Sequence, residues 1–198
     1  MLPVESWNLD ELGARWRSAQ PFPYVILDDV VDAATLVELQ QAASAEPHWN
    51  NRGEIYDFMA SGEAVMHPTL QALEAELSSE RVLAAVRAIS GRAMSSASLR
   101  SYVYQAGSYL LPHADSRDGA GRVVAYVMYL WTEGCVGGEL ELFACEMNGD
   151  DVVHARSAHT IAPRANRLVL FDVTNASLHQ VREVLAGMRV SVTGWFLA

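Results

Sequence analysis

The segment "YQAGSYLLPHADSRDGAGR", Tyr104 to Arg122, ends an apolar run on a histidine and an aspartate two residues apart. Residues two apart in an extended strand point to the same face, so His113 and Asp115 are expected to aim at one point. An imidazole and a carboxylate so arranged suit a divalent first-row metal. Taken alone the pair is weak. Six histidines and ten aspartates in 198 residues give about 0.3 such spacings by chance, and two solvated side chains entering a Gly-rich turn explain it more simply.

The C-terminal stretch changes that weighing. His179 begins one predicted strand, "LHQVREV", and Arg189 opens the next, ten residues later. Strands joined by a hairpin bring such residues into one neighbourhood, although the register is not readable from sequence. A second histidine completes the two-histidine, one-carboxylate triad of non-haem iron(II) sites, which leaves positions open for substrate and oxygen. In "RVSVTGWF", Arg189, Ser191, Thr193 and Trp195 alternate with Val190, Val192, Gly194 and Phe196, so the first set must face something polar. A buried guanidinium has to be paired, and its planar fork matches a carboxylate held bidentately. A 2-oxo dicarboxylate meets both demands, chelating the metal at one end and Arg189 at the other. Two other readings stay open. The same ligands suit zinc or manganese in a β-barrel hydrolase or isomerase, which has no need of an inward arginine. A non-catalytic binding module that retained them is the second.

These residues need a scaffold. Asn8 with Glu11 forms a capping-box pattern ahead of "LDELGARWRS"; Asp32 caps "AATLVELQQAASA", with Leu36, Leu39 and Gln40 at helical spacing. Pro68 suits the first turn of "PTLQALEAELSS", and Gly91 ends "SERVLAAVRAIS". "PFPYVILDD" reads as an early strand. From about Ser96 the texture turns to strands: "SLRSYVYQ", "GRVVAYVMYLW", "GGELELFA", "HTIAP", "NRLVLFDV", "LHQVREV" and "MRVSVTGWFL". "VVAYVMYLW" is apolar on both faces, as a strand covered on both sides must be. The segments "DSRDGAG" and "NNRGEIYDFMASGEA" read as mobile loops over a substrate, and Gly137 with Gly138 as a turn. The order predicts an α+β chain, one domain over 1–198, with helices in 1–97 packed on one side of a β-core in 98–197.

Composition narrows the function. At 51% hydrophobic residues the chain can bury a substantial core, and its formal charge of −10 argues against tracking nucleic-acid phosphates. No stretch approaches the ~20 apolar residues of a membrane span, and the start lacks a signal-peptide pattern. The two cysteines, Cys135 and Cys145, are expected as free thiols in a cytoplasmic protein. His48, His67, His154 and His159 have no spacing that recommends them as ligands.

The stretches "YQAGSYLLPHADSRDGAGRVVAYVMYLW", "GGELELF", "NRLVLFD" and "LHQVREVLAGMRVSVTGWF" resemble the iron(II)- and 2-oxoglutarate-dependent oxygenases of the prolyl-hydroxylase type. The likeness is to the compact branch that includes the oxygen-sensing prolyl hydroxylases and their bacterial relatives. It implies a double-stranded β-helix core of the jelly-roll or cupin kind, and Fe(II), 2-oxoglutarate and O2 as cofactor and cosubstrates. The matching positions are His113, Asp115 and His179 for iron and Arg189 for 2-oxoglutarate, with Tyr129, Thr193 and Tyr104 lining the cosubstrate pocket. Arg122, Trp131 and Trp195 are the positions implied for the second substrate; Trp131 departs from the Asn that many relatives carry. A carboxylate at 115 favours hydroxylation over halogenation, which needs that coordination position for chloride. The implied activity is hydroxylation with release of succinate and CO2, on peptidyl proline or on a free amino acid or small natural product.

Overall fold

The computed structural model describes residues 2–116 and 120–198. Local chemistry places its helices. Helix α1 (Leu9–Ser18) starts where Asn8 Oδ1 accepts from the Glu11 amide at 3.2 Å, while the Asn8 side-chain amide donates back to the Glu11 carboxylate. Helix α2 (Ala33–Ala45) starts on Asp32, whose carboxylate accepts from the Thr35 amide at 2.9 Å. Pro68 opens α3 (Pro68–Leu77), and α4 (Glu80–Ser90) stops at Gly91, which takes a left-handed φ of 70°. Among the described residues no helix is long and apolar enough to cross a membrane.

The strands are, in chain order, β1 (Tyr24–Asp28), β2 (Trp49–Arg52), β3 (Tyr56–Ala60), β4 (Ser96–Ala97), β5 (Arg100–Gln105), β6 (Tyr109–His113) and β7 (Arg122–Trp131). They continue with β8 (Val136–Gly137), β9 (Leu140–Asn148), β10 (Asp151–Ile161), β11 (Arg167–Asp172), β12 (His179–Val181), β13 (Val184–Ala186) and β14 (Met188–Leu197). Pairing runs antiparallel in the order β1-β11-β7-β14-β5-β3-β6-β12-β9-β10. The sheet curls on itself, so that β7, β11 and β14 form one wall and β6, β9, β10 and β12 the other: the double-stranded β-helix expected from the sequence.

Strand β7 shows why its sequence is apolar on both faces. Val124, Tyr126, Met128 and Leu130 join the helix-side core, with Leu12, Trp16, Leu39 and Val86 from the helices. Ala125, Val127 and Tyr129 point the other way, towards Leu140 and Leu142 on the opposite wall. The period of two thus sorts one strand between two environments.

Four expectations change. "NNRGEIYDFMASGEA" is not a free loop: β2 and β3 form a hairpin, and β3 pairs with both β5 and β6. Its signal is weak because β2 is exposed or half-buried throughout, so no apolar alternation marks it. "LHQVREV" divides into β12 and β13, which lie in different sheets. His179 and Arg189 are therefore not hairpin neighbours, since β12 lies between β6 and β9 while β14 lies between β5 and β7. Asp115 follows the end of β6 instead of alternating with His113 within it. Of the segment "DSRDGAG", residues 117–119 lie outside the described residues.

Gly194 marks the tightest approach. A methyl group there would overlap the backbone carbonyl oxygen of Ser98, the same oxygen that accepts from the Tyr126 hydroxyl at 2.8 Å. Backbone cannot yield as a flexible side chain can. Gly194→Ala is expected to lower the melting temperature by on the order of 5–10 °C in a thermal unfolding scan. A variant melting within about a degree of the parent would show that β14 and the Ser98 segment can separate freely.

Candidate active site

The two walls enclose a cavity of about 640 Å³. His113 and His179 stand opposite each other in the β6–β12 register, with ring centroids 4.3 Å apart. His113 Nε2 lies 3.8 Å and His179 Nε2 3.6 Å from the Asp115 carboxylate. The remaining ring nitrogens are already engaged: His113 Nδ1 with the Leu111 carbonyl at 2.9 Å, and His179 Nδ1 with the Ser177 carbonyl at 3.0 Å. A carbonyl only accepts, so each neutral ring carries its proton on Nδ1 and presents the Nε2 lone pair inward. Such carbonyl contacts orient metal-binding imidazoles. The three ligand atoms lie within 4.8 Å of one another, a donor set that fits a divalent metal with open positions. Phe171 holds the His179 ring edge-on at 4.7 Å, and burial leaves that histidine 5% exposed.

On the facing wall Arg189 is 3% exposed. One guanidinium nitrogen donates to the Gly138 carbonyl at 2.6 Å and reaches the Tyr129 hydroxyl at 3.4 Å. The guanidinium carbon lies 4.5 Å from the Tyr104 ring centre and 5.1 Å from that of Tyr129. Its Nε is buried without a partner, and among the described residues no carboxylate forms an ion pair with it. A buried charge in this position suits an anion. Burial pushes the Tyr104 phenol well up, with Arg189 acting in the opposite direction, and the same pair of causes raises Tyr129. Both phenols stay protonated at neutral pH and can donate to an anion. Thr193 lies four strand positions on, lining the same cavity, with its hydroxyl 3.4 Å from that of Ser191.

Nearer the mouth, the Arg122 guanidinium stacks on the Trp195 ring at 3.5 Å and donates to the Asp115 backbone carbonyl at 3.4 Å. The Trp195 indole N–H is buried without a partner among the described residues. Nine of the ten sequence candidates thus line one cavity. Trp131 does not. In the β7–β14 ladder Tyr129 opposes Ser191 but Trp131 opposes Val190, so one extra residue on β7 forms a bulge. The bulge reverses the alternation and turns Trp131 outward beside α2, 40% exposed.

Sequence reasoning missed Phe58, Tyr102, Arg100 and Phe171. Phe58 packs on Tyr102 and Tyr104 at 5.4 and 5.3 Å. Tyr102 and Arg100 were findable by alternation from Tyr104 along β5, and Phe171 by alternation along "RLVLFD". Phe58 sits in the hairpin that reads as a loop. Two of the remaining histidines take structural roles, His48 bonding Ser101 at 2.9 Å and His67 capping α3.

The 2OG-Fe(II) oxygenase superfamily matches residues 99–197. Prolyl 3-hydroxylase OGFOD1 of Xenopus laevis is 40% identical over 92 residues, 44% of this chain and 17% of the relative. Its counterpart in Mus musculus is 34% identical over 98 residues, 47% of this chain and 17% of the relative. The match thus spans about a sixth of these curated relatives. A Pseudomonas putida prolyl-4-hydroxylase superposes with a TM-score of 0.69 at 19% identity, covering 94% of this chain and 98% of that one. A Trichoplax adhaerens prolyl hydroxylase, solved with a hypoxia inducible factor peptide fragment, gives 0.70 at 17%, covering 97% and 93%. These two likenesses carry the fold.

The geometry predicts a divalent-metal site that needs all three side chains. Calorimetric titration with Mn(II) is expected to show one site in the parent, weakened by about two orders of magnitude or more in His113→Ala, Asp115→Asn and His179→Ala. Circular dichroism should stay unchanged. Parent-like Mn(II) affinity in any one variant would remove that residue from the site.

Proposed function

The chain belongs to the 2OG-Fe(II) oxygenase superfamily, and on that premise we propose that it hydroxylates a prolyl residue of a peptide or protein. His113, Asp115 and His179 hold iron(II) in this reading, and Arg189 holds the distal carboxylate of 2-oxoglutarate. Iron with 2-oxoglutarate and O2 supplies the oxidising chemistry: a substrate C–H bond becomes C–OH while 2-oxoglutarate becomes succinate and CO2. The chain's own part is position, charge and exclusion of water.

One observation carries the reading: an unpaired, buried guanidinium faces a three-ligand metal set across a single cavity. A hydrolytic zinc site has no need of that charge. Tyr129 and Thr193 flank the anion position as neutral donors, and Tyr104 closes one side of it. The prolyl substrate rests on the curated relatives, whose names are prolyl 3-hydroxylases, and on the mouth, where Trp195 offers an aromatic face and an indole N–H without a partner among the described residues. Residues 1–97 and 98–197 are proposed as one working unit, because the helices supply the core behind β7 and β14. The two free cysteines support a reducing, cytoplasmic setting.

Removing a buried charge partner costs far more than removing one neutral hydrogen bond. Arg189→Gln is expected to raise the 2-oxoglutarate concentration needed for half-maximal succinate formation by orders of magnitude. Thr193→Val should raise it about tenfold, and Arg189→Lys should recover part of the loss, having the charge without the fork. Mn(II) affinity should survive in each. An unchanged 2-oxoglutarate requirement in Arg189→Gln would place the anion elsewhere and overturn the assignment.

A further inference from the structure

The chain contains no lysine, so every strongly basic side chain is a guanidinium. Outside the cavity several of these cations meet acids: Arg92 pairs with Asp172 at 2.5 Å, Arg167 with Asp28 at 2.7 Å, and Arg52 with Asp57 at 2.7 Å. Two arginines that line the cavity have no carboxylate partner among the described residues. Arg189 is one, and its anion is the cosubstrate. Arg100 is the other.

Arg100 lies opposite Thr193 in the β5–β14 register, half-buried and lining the same cavity. Its Nε and one terminal nitrogen both donate to the Ser61 carbonyl, the former at 3.1 Å, which fixes the side chain to the segment after β3. Its guanidinium lies 5.5 Å from the centre of the Tyr102 ring, and its charge works against the burial that raises that phenol. Among the described residues no carboxylate forms an ion pair with it, although the chain as a whole carries a net charge of −10. An immobilised, partly desolvated cation with an unclaimed charge fits an anion.

That anion is not the cosubstrate. Arg189 opposes Tyr104 and Thr193 opposes Arg100, so the two arginines are four strand positions apart, about 13 Å along the strand direction. A five-carbon diacid bound to Arg189 and the metal does not extend there. Asp115 belongs to the metal set, and Glu63, the other acid lining the cavity, is exposed. The cavity mouth thus keeps two groups unclaimed by any acid or acceptor among the described residues: the charge of Arg100 and the indole N–H of Trp195.

We infer that Arg100 is a specificity-determining residue that binds a carboxylate of the hydroxylated substrate, an Asp or Glu side chain close to the target proline. This rests on the prolyl-hydroxylase reading above. The chain's excess of acid repels such a substrate at long range, so selection must come from contact, and Arg100 supplies it.

Pools of acetylated, amidated pentapeptides with a central proline test it, scored by mass gain of one oxygen. One pool carries Asp and Glu at the flanks, a second Asn and Gln, and a third Lys. Free L-proline and peptides ending in an unamidated proline supply an α-carboxylate instead. The parent enzyme is expected to favour the acidic pool over the amide pool by tenfold or more, through KM. Arg100→Gln should reduce that ratio to within about twofold, and Arg100→Glu should shift preference to the Lys pool. A dependence on the α-carboxylate that vanishes in Arg100→Gln supports carboxylate binding but makes the source a free terminus. Equal use of acidic and amide pools by the parent, or an undiminished acidic preference in Arg100→Gln, overturns this inference and leaves the prolyl reading standing. Steady 2-oxoglutarate consumption with no proline oxidised in any pool overturns both.

Discussion

A guanidinium sealed between two tyrosine rings, with no acid among the described residues to meet it, is the constraint around which this structure is arranged. Burying an unpaired charge is among the costliest things a fold can do, so everything near Arg189 limits that cost until an anion arrives. The Gly138 carbonyl takes one donor, and a side chain at that glycine would crowd Arg189 Cδ and Val184. Tyr104 and Tyr129 contribute ring faces that favour a cation. The central place of β14, flanked by β5 and β7, lets neighbours on both sides do this at once. An edge strand has only one such neighbour to offer.

What was legible in the sequence divides along the range of the interactions. The caps at Asn8 and Asp32, the proline at 68 and the glycine at 91 act within three or four residues, so their helices could be placed closely. The two-faced apolar run in β7 and the alternation in β14 announced a sheet covered on both sides. Most of the errors involve pairing between distant segments. The β2–β3 hairpin owes its place to β5 and β6, which its own residues do not reveal. The bulge that turns Trp131 away is a one-residue difference between two strands, invisible in either alone. The separation of His179 and Arg189 onto opposite walls likewise follows from strand order, not spacing.

That separation is what makes the site chemically useful. On adjacent strands of a hairpin, a triad histidine and the arginine would sit side by side, and a diacid could not stretch between metal and guanidinium. Placed on facing walls, in the proposed reading they define an axis with the metal set at one end and the anion anchor at the other. The same alternation that sends Val127 and Tyr129 inward sends Val124, Tyr126 and Met128 to the helices, so helix packing stiffens the wall bearing Arg189 from behind.

Asp115 remains the least supported ligand by secondary structure, since it lies beyond the end of β6. Its position comes from contacts on several sides instead. Its carboxylate lies against both imidazoles, and its backbone carbonyl accepts from Arg122, which is stacked on Trp195 of the facing wall. The Ser116 hydroxyl, one residue on, donates to Asn175 at 2.6 Å, near the turn that precedes His179. The segment carrying the carboxylate is thus tethered to the turn that leads into β12 and, through Arg122, to β14. Arg122 thereby links Asp115 to Trp195: moving its guanidinium off the Trp195 ring would also release the Asp115 carbonyl. In the proposed reading, a substrate group that settled against Trp195 would press on the same contact, which connects the mouth to the candidate metal set through Arg122.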